Sequence, residues 1–180
     1  APALCNRIDR NTGGIVIAAK TAEGLRVMNQ KIRDRELKKY YLCIVHGTLP
    51  RPAGRLEGYI LKDEAKKQVT VSSRPRPGAK TAVTLYETLA VRNGLSLVRC
   101  QLITGRTHQI RAQFAAAGHP LLGDGKYGNG AANRRYGETR QALYSYRLTF
   151  DFPTDAGLLE YLRGRSFQVD HVPFRDKYFG

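Results

Sequence analysis

The segment Asn6–Arg7–Ile8–Asp9–Arg10–Asn11–Thr12–Gly13–Gly14 sets one carboxylate between two arginines in a turn, directly ahead of the apolar run Ile15–Ala19. Opposite charge within hydrogen-bond reach lowers a carboxyl pKa, so Asp9 is expected to be held as an anion aimed at a target. A surface ion pair beside a Gly-Gly turn would use the same residues. A second polar segment, Thr104–Gly105–Arg106–Thr107–His108–Gln109–Ile110–Arg111, follows an apolar run and opens a helical pattern, a geometry suited to anions. If the two loops meet, Arg106 becomes the bidentate partner that keeps Asp9 ionised. Tyr41 stands in an otherwise apolar strand pattern, where a phenol either satisfies its hydroxyl in the core or offers its ring for stacking. A lone carboxylate, an arginine to fix it and a ring to stack on an extruded base point to chemistry on a nucleic-acid base. No second acidic motif accompanies Asp9, which argues against a paired-carboxylate glycosidase. No GxSxG, P-loop or GxGxxG occurs either.

The charge balance supports a polyanionic partner. Thirty Lys and Arg against fifteen Asp and Glu give +15 over 180 residues. The cations recur along the whole chain, so the folded body is expected to bind nucleic acid. Hydrophobic residues at 42% and charged residues at 25% fit one soluble domain with its own core. No run approaches the ~20 apolar residues that span a bilayer, and no signal peptide or lipidation motif is visible. A cytoplasmic protein without membrane partners is expected. Cys43 and Cys100 lie in apolar runs and read as buried, reduced thiols. His46, His108, His119 and His171 show no helical i, i+4 pair and no CxxC is present, so no metal is expected.

The elements that must position these groups follow in order. Gly14–Lys20 reads as a buried strand, and Thr21 caps a helix running to about Lys38 with Leu25, Met28 and Ile32 on one face. Its cations Arg26, Lys31, Arg33, Arg35, Lys38 and Lys39 are either a solvated face or phosphate contacts. Tyr40–Val45 is apolar on both faces, as in a central strand. Leu49–Gly78 is a Pro-, Gly- and Lys-rich excursion with strand-like pieces at Leu56–Ile60 and Val69–Ser72. Lys80–Val91 and Leu95–Ile103 form a hairpin around Asn93–Gly94. Thr107 caps a helix carrying Ile110 and Phe114 that ends at Gly118. Leu121–Arg140 reads as a long basic loop, Tyr144–Phe152 as a strand, and Thr154 or Asp155 as the start of a short last helix. The sum is an α+β domain with a largely antiparallel, mixed β-sheet flanked by a few helices and loops.

These blocks resemble, in order, the motifs of the RluA family of pseudouridine synthases. Asn6–Gly14 is similar to its HRLDxxTSG motif, with Asn6, Ile8 and Gly13 in place of His, Leu and Ser. Lys39–Gly47 resembles its KxYxAxVxG strand, Lys80–Thr84 its KxAxT strand, and Leu102–Arg111 its most specific segment. Gly118–Gly128 and Gln141–Phe150 complete the series. The resemblance implies a pseudouridine synthase fold and isomerisation of uridine to pseudouridine in RNA, without cofactor or metal. Ribosomal RNA is the first substrate class and transfer RNA the second. It makes Asp9 the essential aspartate, acting at C6 of the base, at C1′ of the ribose or on the C2′ proton to give a glycal, Arg106 its partner, and Tyr41 the ring that stacks on the base and helps remove the C5 proton. Arg7, Arg10, Lys80, Thr107, His108, Gln109, Arg111, Lys126 and Tyr127 are expected to contact RNA. Only Ala1–Cys5 precede the first motif, where family members carry a strand-forming segment and many an S4-type RNA-binding domain. Residues 1–180 are therefore expected to be the larger part of one catalytic domain, monomeric and without an S4 domain. A non-catalytic basic RNA-binding domain of the same fold, or a ribosome-associated structural protein, would account for the charge but not for the motifs.

Overall fold

A computed structural model describes the chain from Ala1 to Gly180. Its centre is β4 (Leu37–His46), paired antiparallel on one side with β8 (Leu95–Leu102) and on the other with β9 (Leu143–Phe150). The sheet continues through β7 (Lys80–Arg92), β5 (Ala53–Asp63) and β6 (Gln68–Ser72), and β10 (Ser166–Gln168) flanks β9. The one parallel pairing is β2 (Gly13–Gly14) on β9, so the sheet is mixed but almost wholly antiparallel, as expected. A separate two-stranded ribbon joins β1 (Ala3–Leu4) to β3 (Ala18–Ala19). The helices are α1 (Ala22–Arg33), α2 (Gln109–Ala116), α3 (Gly130–Tyr136) and α4 (Pro173–Phe179), with a 3₁₀ turn at Gly157–Leu162. No helix is long and apolar enough to cross a membrane.

The two-sided apolar pattern of β4 has a direct cause. Tyr41, Cys43 and Val45 pack on one face against Val98, Cys100, Ile110 and Phe114, beneath α2. Leu42 and Ile44 pack on the other against Leu97, Leu122 and Val172, with Phe174 and Tyr178 of α4 closing that side. Cys43 and Cys100 are buried and free, with their sulfurs 3.8 Å apart. Asn93 and Gly94, at φ 54° and 76°, make the tight turn of the β7–β8 hairpin, because both tolerate the left-handed region.

Several elements depart from the sequence reading. The apolar run Ile15–Ala19 yields only β3, because Ile15 and Ile17 pack sideways on the cluster of Met28, Leu148 and Phe150. Thr21 caps α1 as expected, its hydroxyl accepting from the Gly24 N–H at 3.0 Å, but the helix stops at Arg33 instead of Lys38. Lys31 belongs neither to a solvated face nor to a phosphate contact. Its ammonium is buried on Glu36, on the Thr154 hydroxyl at 2.7 Å and on the Asp155 carbonyl at 2.7 Å. The two strand pieces expected within Leu49–Gly78 are present as β5 and β6, the first longer than expected, whereas the long loop after Leu121 contains α3, capped by Asn129. The last helix is a 3₁₀ turn, and β10 and α4 beyond it had no expectation.

Candidate active site

The Asp9 loop is seated by glycine. Gly13 and Gly14 lie parallel to Tyr144 and Ser145 of β9, and Tyr41 of β4 is the antiparallel partner of Ser145. Gly14 has φ +113°, and a Cβ there would stand 2.1 Å from the Ser145 carbonyl oxygen, so no side chain fits. A Cβ on Gly13 would meet the Tyr144 ring at 2.7 Å. Gly13 thus makes room for a ring, where the sequence suggested only a looser turn. The turn itself is closed by the Thr12 N–H on the Asp9 carbonyl at 3.0 Å. Gln141 latches it to the start of β9 by donating to the Arg10 carbonyl at 2.5 Å and the Thr12 hydroxyl at 3.3 Å.

The two polar loops do meet. Arg7, Asp9, Lys39, Tyr41, Arg106 and Gln109 line one cavity, open to solvent on one side, with Leu102, Ile110 and Leu143 as its apolar floor. The Asp9–Arg106 pair is nevertheless not formed. The Arg106 guanidinium donates to the Thr81 carbonyl at 2.7 Å and reaches the Thr81 hydroxyl at 3.4 Å. Asp9 makes no ion pair, and burial raises its pKa, with His108 and then Arg111 acting in the opposite direction. This corrects the expectation that flanking arginines lower it. Arg7 and Arg10 are exposed, and the desolvation of a half-enclosed carboxyl outweighs the cations it faces. Tyr41 is 8% exposed, so it belongs to the core and lines the cavity at once. Burial pushes its phenol up, against the Ser145 hydroxyl, so it stays protonated near neutrality.

Three expected RNA contacts turn out to be internal braces. Gln109 is 3% exposed and spends its whole amide on the protein. Its Oε1 accepts from the Thr104 hydroxyl at 2.7 Å and the Arg106 N–H at 3.0 Å. Its Nε2 donates to the Val83 carbonyl at 3.0 Å and the Thr84 hydroxyl at 2.9 Å. That network shapes the Arg106 loop from below. Arg111 is 6% exposed and forms a bidentate pair with Asp124, at 2.7 and 3.0 Å. Asp124 is fully buried and also accepts the N–H groups of Lys126 and Tyr127. Burial alone would raise its pKa, but the Arg111 bond and those N–H donors hold it below the ordinary carboxyl value. Tyr127 accepts the Val69 N–H at 2.9 Å and lies 2.7 Å from His108 Nδ1, which commits its hydroxyl.

The remaining expected contacts lie outward. Arg7, Arg10, Lys80, Thr107 and Lys126 are exposed; Arg7 lines the Asp9 cavity, Lys80 and Thr107 line a neighbouring cleft that shares Arg106, and the Lys126 ammonium lies on the Lys67 carbonyl at 2.9 Å. Thr107 does not cap α2; that position is His108, at φ 53° with no side-chain cap bond. His108 is half-buried, and burial lowers its pKa, with Asp9 opposing, so its imidazole is biased toward the neutral form beside the carboxyl. Lys39, read from sequence only as a solvated or phosphate-contacting cation, lines the Asp9 cavity, since its two-residue offset from Tyr41 on β4 puts both on the cavity face.

Comparison with known proteins agrees with this geometry. The family described as RNA pseudouridylate synthase matches residues 1–116. "Uncharacterized RNA pseudouridine synthase MG370" of Mycoplasma genitalium is 39% identical over 152 residues, covering 83% of this chain and 47% of that protein. "Ribosomal large subunit pseudouridine synthase C" of Vibrio vulnificus is 32% identical over 172 residues, covering 94% and 53%. The chain thus spans about half the length of the curated relatives it matches. The solved structure of human RNA pseudouridylate synthase domain containing 1 superposes with a TM-score of 0.75 at 19% identity, over 98% of this chain and 79% of that one, which supports the fold. Motif order, sheet topology and the match over residues 1–116 place the chain in the RNA pseudouridylate synthase family.

Proposed function

We propose that the chain isomerises uridine to pseudouridine in RNA, ribosomal RNA first and transfer RNA second, as a monomer in the cytoplasm. The observation that carries this reading is the lone, half-enclosed Asp9 carboxylate set with Tyr41 in a cavity rimmed by Arg7, Lys39 and Arg106. The reaction breaks the N1–C1′ bond of an extruded uridine and forms C5–C1′; the C5 proton is lost and N1 takes up a proton, so the atoms balance. Asp9 starts it by attack on the nucleotide, Tyr41 stacks on the detached base, and cationic neighbours hold the charged surroundings. Arg7, Arg10, Lys80, Thr107 and Lys126 guide the RNA strand outside the cavity. Neither a metal nor a cofactor takes part in this scheme. The test is tritium release from RNA labelled at uridine C5, with total ribosomal and transfer RNA as substrates. Catalytic release supports the isomerase; RNA binding without release would favour a binding-only domain.

Two outcomes follow from the geometry. Asp9 must be ionised to attack, and burial raises its pKa from 3.8. The acidic limb of kcat/KM is therefore expected above that value, with activity rising as pH increases through it. Arg106 enters the chemistry only after leaving Thr81 for Asp9. Arg106→Ala is expected to lower kcat by about 100-fold or more, the scale of losing one donor to a developing anion. In the RNA-free protein the same substitution should leave the carbon-13 titration of Asp9 in place, because His108 and Arg111 are the cations that carboxyl faces. A free-state titration displaced upward by a full pH unit would show that the pair already exists without RNA.

A further inference from the structure

Beside the Asp9 cavity, across Lys39, Gly105 and Arg106, lies a second cleft of about 210 Å³. Arg33, Arg35, Lys39 and Arg106 line it, and no carboxylate does. None of these four cations takes part in a salt bridge, although the neighbouring Lys31 and Lys38 are both paired, with Glu36 and Asp151. Like charges gathered without a counter-ion repel one another. Burial and then Arg35 lower the pKa of both Lys39 and Arg106.

The backbone adds an independent sign. After α1 the Arg35 N–H bonds to the Ile32 carbonyl at 3.1 Å and the Glu36 N–H to the Lys31 carbonyl at 2.9 Å. That is a Schellman ending, whose left-handed residue is usually glycine. Here it is Arg35, at φ 57°. A long cation is kept in a backbone conformation that disfavours it, at the lip of the cleft. Strain of this sort concentrates where a side chain serves a ligand. The favourable field at a helix C-terminus would explain a cation there, but Arg33 already supplies one in the last turn.

We propose that Arg33, Arg35 and Lys39 form a phosphodiester subsite that seats the RNA backbone next to the uridine presented to Asp9. The inference rests on the RNA-isomerase reading above and adds to it where the adjoining phosphate sits. A phosphodiester supplies the missing negative charge, and its unesterified oxygens accept from guanidinium and ammonium together. Lys39, which lines both cavities, becomes the link between backbone seating and the reacting base.

The test is fluorescence anisotropy of a labelled oligouridylate of about a dozen nucleotides, a length within single-strand site sizes. It is titrated with the intact chain at several KCl concentrations. Arg35→Gly is expected to bind about tenfold more weakly, and the slope of log affinity against log salt should shrink by about 0.7, one single-strand phosphate contact. Lys39→Gln should behave alike. The pair Arg134→Gln and Arg135→Gln on α3 removes two charges elsewhere and should change affinity less than Arg35→Gly alone. Glycine suits φ 57°, so the melting temperature of Arg35→Gly should equal or exceed the parent's, whereas a merely structural arginine would show the reverse. With an uncharged methylphosphonate oligouridylate, the difference between parent and Arg35→Gly should vanish. Equal affinity and slope for parent and both cleft variants would overturn the subsite, as would an undiminished difference on the methylphosphonate probe. If binding follows these expectations while the parent releases no tritium from labelled RNA, the isomerase reading fails and the phosphate subsite stands.

Discussion

Asp9→Asn is expected to bring tritium release to background, a loss of roughly 10⁴-fold or more, the scale of deleting a group that forms the reacting bond. Asparagine keeps the shape and removes the anion. Oligouridylate affinity should stay within about threefold of the parent, because backbone contacts carry most of it. The fold should gain. Folded Asp9 binds its proton more tightly than the unfolded chain does, since its pKa is raised. Its contribution to stability is therefore complete below the ordinary carboxyl value of 3.8 and is lost as pH rises through the folded value. At neutral pH the parent carries a half-buried charge that asparagine lacks, so the variant should melt higher, by a margin that narrows as pH falls toward 4. Calorimetry at the two pH values checks this. Near-parental turnover would remove Asp9 from its role, and a lower melting temperature at neutral pH would contradict the burial.

The second large effect is on stability. Arg111→Met leaves Asp124, fully buried, without its bidentate partner. Removing one member of a buried ion pair typically costs about 3–5 kcal/mol, because the other charge is stranded. For a domain of this size each kcal/mol moves the midpoint by about 2–4 °C, so a drop near 10 °C is expected. The sign with pH is opposite to that of Asp9. The Asp124 pKa is lowered, so its contribution is present above the ordinary carboxyl value and fades as pH falls through the folded one. Adding Asp124→Asn to Arg111→Met removes the stranded charge and keeps an acceptor for the Lys126 and Tyr127 N–H groups. The double variant should recover at least half of the loss. Urea denaturation of the parent and both variants measures it, and a loss under about 1 kcal/mol in Arg111→Met would show the pair to be dispensable.

Much of this was legible in the residues. The Asn93–Gly94 turn, the two-sided apolar β4 strand and the Thr21 cap are local signals, each set by backbone or side-chain chemistry within a few positions. What could not be read depends on partners distant in sequence. Lys31 looks like any helical cation until Thr154 and Asp155 close over it. Gln109 and Arg111 carry the polar character of RNA contacts, yet the chain spends both on Thr84, Val83 and Asp124. Arg106 was rightly placed at the Asp9 cavity, but its hydrogen bond goes to Thr81, a carbonyl no side-chain pattern announces. The terminal α4 covers β4 through Phe174 and Tyr178, a tertiary role its short, mixed sequence does not signal.

The parallel seat of Gly13 and Gly14 on Tyr144 and Ser145 bears on the order in which the molecule is made. Asp9 leaves the ribosome ahead of the strand that fixes its loop, which follows about 130 residues later. At synthesis rates of roughly 5–20 residues per second, that interval is about 7–26 seconds. During it β4 can pair with β8, yet the Asp9 loop lacks its seat on Tyr144 and Ser145, and Tyr41 lacks Ser145 beside it. The Asp9 loop is thus seated only once β9 docks, well after the strands β4 and β8 that form the rest of its cavity have been made.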